Sequence, residues 1–311
     1  MSKMQAVRIH SFGGPDVLKL EELDVPEPAE REVLIKIRAA SVNPVDYKIR
    51  SGKVPSVKQE QLPKVLGRDV AGTIVRCGRA VTEWREGDEV FALLDGAHGG
   101  YAEYVALAAE LCVRKPLRID FTVAAAVPLA GITAWQGEFD HGRLESGQRE
   151  LIHGGAGGVG HLANQFAKAR GAAVYTTVGG EDLDFVRALG ADAAIDYRSE
   201  RFEDKVHDVD LVLDLIGGQT QERSWSVLKE GGALISTLSK PSAERASERQ
   251  VRAENYVAHP DASELNEIRD LIDAGKVRPF VQAVYELHEV AEAHRRLEEG
   301  HVRGKIVLQV S

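Results

Sequence analysis

Only two of the 311 residues are cysteine, Cys77 and Cys112, and they form no C-x-x-C pair. No disulfide framework and no cysteine-based structural zinc site can be built from them. The ten histidines are scattered and no H-E-x-x-H sequence occurs, which excludes a zincin-type site. His98, beside Gly99 and Gly100, reads as a loop residue. Positive charge is also in short supply: 39 Lys and Arg face 48 Asp and Glu, a formal net charge of −9 with no basic stripe. Binding to nucleic acid or to an anionic membrane is therefore disfavoured as the main activity. Long apolar runs are missing. The most apolar segment, Val123 to Trp135, is too short to span a bilayer and contains Pro128. The opening MSKMQAVRIHSFGG has no apolar signal-peptide core and no cleavage site, so a cytoplasmic location is expected.

What remains is an ordinary globular composition, 43% hydrophobic and 28% charged, in a chain long enough for about two domains. The first part is β-rich. Met4–Ile9, Val33–Ala40, Asp69–Cys77, Glu89–Leu93 and Gly100–Val105 read as short strands between Gly, Pro and Asp turns. From about Phe121 the pattern changes. A helical stretch (Val123–Phe139) leads into a strand (Arg149–His153), a helix (His161–Arg170), a strand (Val174–Val178) and a helix (Asp182–Leu189). Short strands follow at Ala193–Asp196, Leu211–Leu215 and Ala233–Thr237, an alternation expected of a doubly wound parallel sheet. Lys240 to Arg252 reads as an exposed loop with some helical character, and Asn255–Ala258 as a last strand. Helices at Ser263–Ala274 and Val290–Glu299 stop at glycines, and Lys305–Gln309 closes the chain as a strand.

The most informative stretch is Leu151 to Gly160, LIHGGAGGVG. Gly155, Gly157 and Gly160 have the G-x-G-x-x-G spacing and lie between a strand and an amphipathic helix. The expected roles are a tight turn at the first glycine, close approach of backbone to a pyrophosphate at the second, and close helix–strand packing at the third. Gly158 and Val159 complete a helix N-terminus facing the anion. The acidic residue that binds a ribose 2′-hydroxyl belongs about 20 residues further on, at the end of the second strand. That place is Gly179, followed by Gly180. A glycine there removes the carboxylate that would repel a 2′-phosphate, which favours NADPH, although Glu181 and Asp182 follow at once. Leu215, Gly217, Thr237 and Leu238 fall at the carboxyl ends of later strands, where cofactor contacts are expected.

Several co-linear motifs resemble the medium-chain dehydrogenase/reductase superfamily, in its zinc-free quinone oxidoreductase and enone reductase branch, the relatives of zeta-crystallin. They are SVNPVDYKIRSGKV (Ser41 to Val54), LPKVLGRDVAG (Leu62 to Gly72), REGDEVFA (Arg85 to Ala92), GGYAEYV (Gly99 to Val105), PLAGITAW (Pro128 to Trp135), the glycine loop, LGADAAIDY (Leu189 to Tyr197), DAGKVRPFV (Asp273 to Val281) and GHVRGKIVL (Gly300 to Leu308). The resemblance implies an α/β protein with two domains. A GroES-like, β-rich catalytic domain (1–120 and 261–311) would be interrupted by a Rossmann domain with a doubly wound parallel sheet (121–260). It further implies a cleft where nicotinamide meets substrate, and a homodimer.

Zinc-dependent members of the superfamily carry Cys where this chain has Asn43 and a His-Glu pair where it has Arg68-Asp69. The resemblance thus implies no catalytic zinc, and Arg68 and Asp69 are expected to form a structural ion pair. Without a Lewis acid, the accessible hydride acceptors are those that spread the resulting charge, an enone or a quinone. The donors expected to stabilise that charge are the Asn43 amide, the Tyr47 phenol and the Lys48 ammonium. Lys48 matches the lysine of the N-P-V-D-x-K motif of plant-type enone reductases, near nicotinamide and substrate. The alternative is that Tyr47 and Lys48 face solvent on a short helix that Asn43 and Asp46 merely cap. Thr133 matches a position beside the nicotinamide, and Tyr197 and Arg198 match a phosphate-contacting position. The expected function is zinc-independent hydride transfer from NADPH to a small quinone or enone. An enoyl-thioester reductase, or a weakly catalytic NADPH-binding sensor or structural protein, stands as the alternative.

Overall fold

The computed structural model describes residues 2–311, and the chain divides into two compact units. The first comprises the residues up to Leu129 with Pro260–Asp273 and Phe280–Ser311; the second is Ala130–His259 with Ala274–Pro279. The sequence pattern set the change at Phe121. The helix Phe121–Ala125 instead packs on strands of the first unit, Glu32–Val42 and Asp69–Cys77.

In the first unit the longest strand is Glu32–Val42, whose Val33, Ile35 and Ile37 are fully buried. Antiparallel partners on either side are Asp69–Cys77 and Lys305–Gln309, and Tyr104–Ala108 pairs with its first half. The registers Ser41 to Asp69 and Val42 to Ile306 bring three sequence-distant segments to one end of this sheet. A smaller sheet joins Lys19–Asp24, Lys3–Ile9 and Lys64–Val65. The core between them is built from Val7, Ile35, Val70, Ile74, Leu107 and Leu308.

The second unit is a six-stranded parallel sheet. Its spatial order is Ala193–Asp196, Ala173–Val178, Arg149–His153, Val209–Asp214, Leu228–Ser236 and Arg252–Asn255. The chain runs outward from Arg149–His153 in one direction, then returns to its other side. The strand order therefore reverses next to the glycine loop, the topological switch point of doubly wound sheets. Strands buried on both faces explain the near-continuous apolar runs of the sequence.

Several elements differ from the pattern reading: the strand Lys19–Asp24 went unread, and the strand expected over Gly100–Val105 forms at Tyr104–Ala108. The helix expected over Val123–Phe139 is broken into Phe121–Ala125, Pro128–Trp135 and a π-helical turn, Gln136–His141. Pro128 has no amide hydrogen and suits a helix start, so it divides the run. The polar stretch after Lys240 contains a true helix, Ala243–Arg249, capped by the Ser242 hydroxyl and ended by Gln250 at φ 54°. The final strand of this sheet is Arg252–Asn255, not Asn255–Ala258, because the Asn255 side chain turns back to bond the Ser236 carbonyl. The strand Val281–Glu286 went unread: it lies at the sheet edge and no residue of it is fully buried. Among the described residues, no helix is long and apolar enough to cross a membrane.

Candidate functional site

In the second unit the loop after Arg149–His153 distributes its glycines differently from the expected roles. The left-handed turn residue is Gly154, at φ 81°. Gly155 is required for packing: a Cβ there would collide with the Thr176 hydroxyl and lie 2.9 Å from Asn164 Nδ2. At Gly160 a Cβ would run into the Gly154 carbonyl, so this glycine holds the helix close to the turn. At Gly157 it would meet only the Gly154 carbonyl, at 3.5 Å. Asn164 secures the loop from the helix, donating to the carbonyls of Gly155 (2.9 Å) and Gly160 (2.7 Å). The Gly160–Ala169 helix starts directly on this turn, with the His161 amide on the Gly157 carbonyl (3.0 Å) and the Leu162 and Ala163 amides on the Val159 carbonyl (3.1 and 3.0 Å).

His153, at the end of the central strand, is fully buried, and burial lowers its imidazole to about 4. Ser224 donates its proton to the Thr220 carbonyl, so Ser224 Oγ can only accept from His153 Nε2. The ring is thus a neutral tautomer that accepts from Thr177 at Nδ1, a structural role. Asp214, which the sequence reading missed, shapes the next strand end. Its Oδ1 accepts from the amides of Ile216 and Gly217 (3.1 and 2.7 Å), and its Oδ2 from Gln221 and Ser236 (2.9 Å each). It thereby orders Leu215 and Gly217, while Ile216 and Leu238 stay exposed on the same rim. Thr133 is buried, and its carbonyl accepts the Tyr256 hydroxyl.

Beyond the second strand, Gly179 and Gly180 lie close to two carboxylates. A Cβ would stand 2.8 Å from Glu181 Oε2 at Gly179 and 2.9 Å from Asp196 Oδ2 at Gly180. Arg198 is bound to Glu181 by two parallel bonds, of 2.7 and 2.9 Å, and its guanidinium lies 5.4 Å from the Tyr197 ring centroid. Asp196 accepts the Arg198 amide at 3.0 Å, a bond that helps hold its carboxyl below the ordinary range.

In the first unit Asn43 ends the long strand and precedes the helix Pro44–Arg50. Its side chain does not cap that helix. It donates to Asp69 Oδ2 (2.7 Å) and accepts from the Lys305 ammonium. The cap runs the other way, with the Asp46 carboxylate accepting the Asn43 amide at 2.8 Å. The expected Arg68–Asp69 ion pair does not form. Arg68, in the bend just before the strand Asp69–Cys77, turns to the Leu94 carbonyl (2.9 Å), while Asp69 points into the core. Asp69 is fully buried and takes Ser41, Asn43 and the Leu129 amide (2.6 Å), with Lys305 at 3.7 Å. Burial holds the Lys305 ammonium below its ordinary value.

A second chain of buried groups adjoins this one. Tyr101 donates to Asp46 (3.0 Å) and meets His294 (3.2 Å); His294 meets Arg50 (3.1 Å), and Arg50 is paired with Glu298 (2.9 Å). Burial raises Asp46 to about 6 and lowers His294 to about 3. Tyr47 and Lys48 are half-buried on the same helix, so neither is simply solvent-facing. Burial, aided by Glu298, raises the Tyr47 phenol. The Lys48 ammonium makes no hydrogen bond or ion pair among the described residues. Lys305 was invisible to sequence reasoning, because its partners lie some 260 residues away (262 to Asn43).

The fold and this pair of sites define a two-domain, nucleotide-linked dehydrogenase class. Residues 29–117 match the alcohol dehydrogenase GroES-like domain family, and residues 189–308 the zinc-binding dehydrogenase family. The chain is 40% identical over 321 residues to the chloroplastic NADPH-dependent alkenal/one oxidoreductase of Arabidopsis thaliana, covering 98% of this chain and 79% of that protein. It superposes on a quinone oxidoreductase from Coxiella burnetii with a TM-score of 0.92 at 37% identity, both chains fully covered. An Escherichia coli quinone oxidoreductase complexed with NADPH gives a TM-score of 0.88 at 28% identity, with 98% and 99% of the two chains covered. The chain belongs to the medium-chain dehydrogenase/reductase superfamily, in its quinone oxidoreductase and enone reductase branch, and is an oxidoreductase.

Proposed function

We infer that the chain reduces a small quinone, or the C=C bond of an α,β-unsaturated carbonyl, with NADPH as hydride donor and without zinc. The observation that carries this reading is the asymmetry of the glycine loop. Gly155 and Gly160 are packed against their neighbours, whereas a Cβ at Gly157, where the strand order reverses, would make only an ordinary 3.5 Å contact with the Gly154 carbonyl. A backbone that must approach a pyrophosphate needs that bare surface.

The amides of Gly158, Val159 and Gly160 would hold the pyrophosphate, favoured by the helix N-terminus, while Gly157, whose own amide bonds the Gly154 carbonyl (3.1 Å), would let the backbone come close. Leu215, Gly217, Thr237 and Leu238 would flank the dinucleotide along the neighbouring strand ends, and Thr133 its nicotinamide. Gly179 and Gly180 carry no side chain at the 2′-position of the ribose, and Tyr197 and Arg198 would bind a 2′-phosphate there beside Glu181 and Asp196. Bound there, a reduced nicotinamide supplies a hydride. The acceptor oxygen gathers charge as it is reduced, and fixed donors stabilise it. Lys48 offers an ammonium without a partner among the described residues, and Tyr47 a phenol whose raised pKa keeps it protonated. Asn43 is held by Lys305 and Asp69 with one amide hydrogen left to donate. Zinc does not fit beside Asn43, because its side-chain oxygen already accepts from an ammonium and a dication would stand against that charge.

A cytoplasmic homodimer completes the proposal; sedimentation and cell fractionation test those two parts. Turnover on a panel of small quinones and enones, with NADPH and with NADH, tests the activity. Measurable kcat/KM for one of the two acceptor classes, higher with NADPH, is expected. Tight NADPH binding without turnover of any acceptor would replace this reading by that of a nucleotide sensor.

A further inference from the structure

The rim beyond the second strand of the parallel sheet carries a cation that is already occupied. Arg198 meets Glu181 through both terminal nitrogens, at 2.7 and 2.9 Å. This is the parallel fork in which a guanidinium also receives a phosphate. Both side chains are about half exposed, at 46% and 45%, so the pair is open to exchange with a ligand. The Arg198 amide is committed to Asp196, which keeps the residue at this rim. Glu181 itself is fixed next to Gly179, within 2.8 Å of where a side chain there would begin. Two carboxylates and one guanidinium thus surround the place where a 2′-substituent of the ribose would lie.

We propose that Glu181 is a specificity-determining residue that competes with the 2′-phosphate for Arg198. The proposal rests on the nucleotide-site reading above. A 2′-phosphorylated dinucleotide must displace the Glu181 carboxylate before Arg198 can bind it, and must then accept a nearby negative charge. An unphosphorylated ribose meets no such obstacle, because its 2′-hydroxyl can donate to the same carboxylate. The chain therefore prefers NADPH by less than Arg198 alone would provide, and uses NADH as a second donor.

The test is calorimetric binding of 2′,5′-ADP and 5′-ADP to the whole protein, with no turnover required. The variants are Glu181→Gln, which keeps the shape and removes the charge, and Glu181→Gln combined with Arg198→Gln. In Glu181→Gln, 2′,5′-ADP should bind about tenfold tighter, in line with a freed charge-assisted contact at an exposed site. Binding of 5′-ADP should stay the same or weaken, and the double variant should lose the gain. A change below twofold for 2′,5′-ADP, an equal tightening of 5′-ADP, or a gain that survives in the double variant overturns the proposal while leaving the nucleotide site intact. If the wild-type protein binds neither fragment, the nucleotide-site reading itself fails and the competition with it.

Discussion

The Lys305 ammonium donates to the side-chain oxygen of Asn43, which directly follows the strand Glu32–Val42 that pairs antiparallel with Lys305–Gln309, so two segments that span most of the chain meet here. Asp69 lies on the opposite neighbour of the same strand and receives the Asn43 amide. One buried cation, one buried anion and the amide between them form a unit in which each member satisfies the others.

Removing the cation should therefore cost more than one hydrogen bond. Lys305→Met is expected to destabilise the protein by about 3–5 kcal/mol, since it leaves Asp69 buried without its counter-charge. Urea denaturation of the two proteins checks this. A loss below about 1 kcal/mol, the worth of an exposed pair, would mean that Ser41, Asn43 and the Leu129 amide suffice for Asp69.

The glycine loop allows a contrast between its members. Gly157→Val should bind NADPH far more weakly while melting close to the parent temperature, since its Cβ meets only the Gly154 carbonyl, at an ordinary 3.5 Å. Gly155→Ala and Gly160→Ala should lower the melting temperature, because their Cβ atoms collide with Thr176 and with the Gly154 carbonyl. Equal NADPH affinity in a folded Gly157→Val protein would show that the pyrophosphate lies elsewhere.

Lys48→Ala should lower kcat for an enone more than it raises KM. A donor that acts as charge develops on the acceptor oxygen contributes on the order of 10²–10³ in rate. NADPH affinity measured in the same variant separates this from a displaced nicotinamide. A kcat within about twofold of the parent, far below that range, would pass the role to Tyr47 or Asn43.

A pH dependence is built into the second unit. Glu138, on the π-helical turn, and Glu150, on the central strand, are fully buried, and none of their four carboxyl oxygens has a partner. Burial raises both well above the ordinary 4.5, and for Glu138 the neighbouring Glu150 adds to it. The charged groups of the surrounding elements are engaged elsewhere: Arg252 with the His141 and Gly142 carbonyls, His141 with Glu254, Asp210 with Lys229. The Tyr256 phenol, raised by its own burial, stays a neutral hydroxyl. The folded protein keeps these two protons at pH values where the unfolded chain has released them. Stability is greatest below pH 4.5 as far as this pair is concerned, and falls as pH rises above it, until the raised folded values are passed. The slope approaches about 1.4 kcal/mol per pH unit for each group. Melting temperatures between pH 6 and 8.5 should fall in the parent and level off in Glu138→Leu combined with Glu150→Val. Parallel curves for the two proteins would show that the pair does not titrate in this range.

The sequence by itself determined what is local. Periodicities of 2 and 3.6, the punctuating glycines and the G-x-G-x-x-G spacing were enough for the strand–turn–helix at the nucleotide site and for the alternating second unit. These features depend on neighbours within a few residues, so the chain displays them in order. The tertiary structure decided which groups meet. Spacing marked Gly155 as the turn residue, but the positive φ is at Gly154, and Gly155 is glycine because Thr176, on another strand, crowds it. Arg68 and Asp69 are adjacent in sequence and read as a pair, yet the bend before the strand sends Arg68 to the Leu94 carbonyl and the strand gives Asp69 to Lys305. Glu181 stood in the sequence only as an acidic residue after Gly179 and Gly180, and the fold brought Arg198 across to it. Long-range pairings are set by sheet register and chain return, which cost loop entropy and are held only by the finished core. No local pattern in the sequence encodes them.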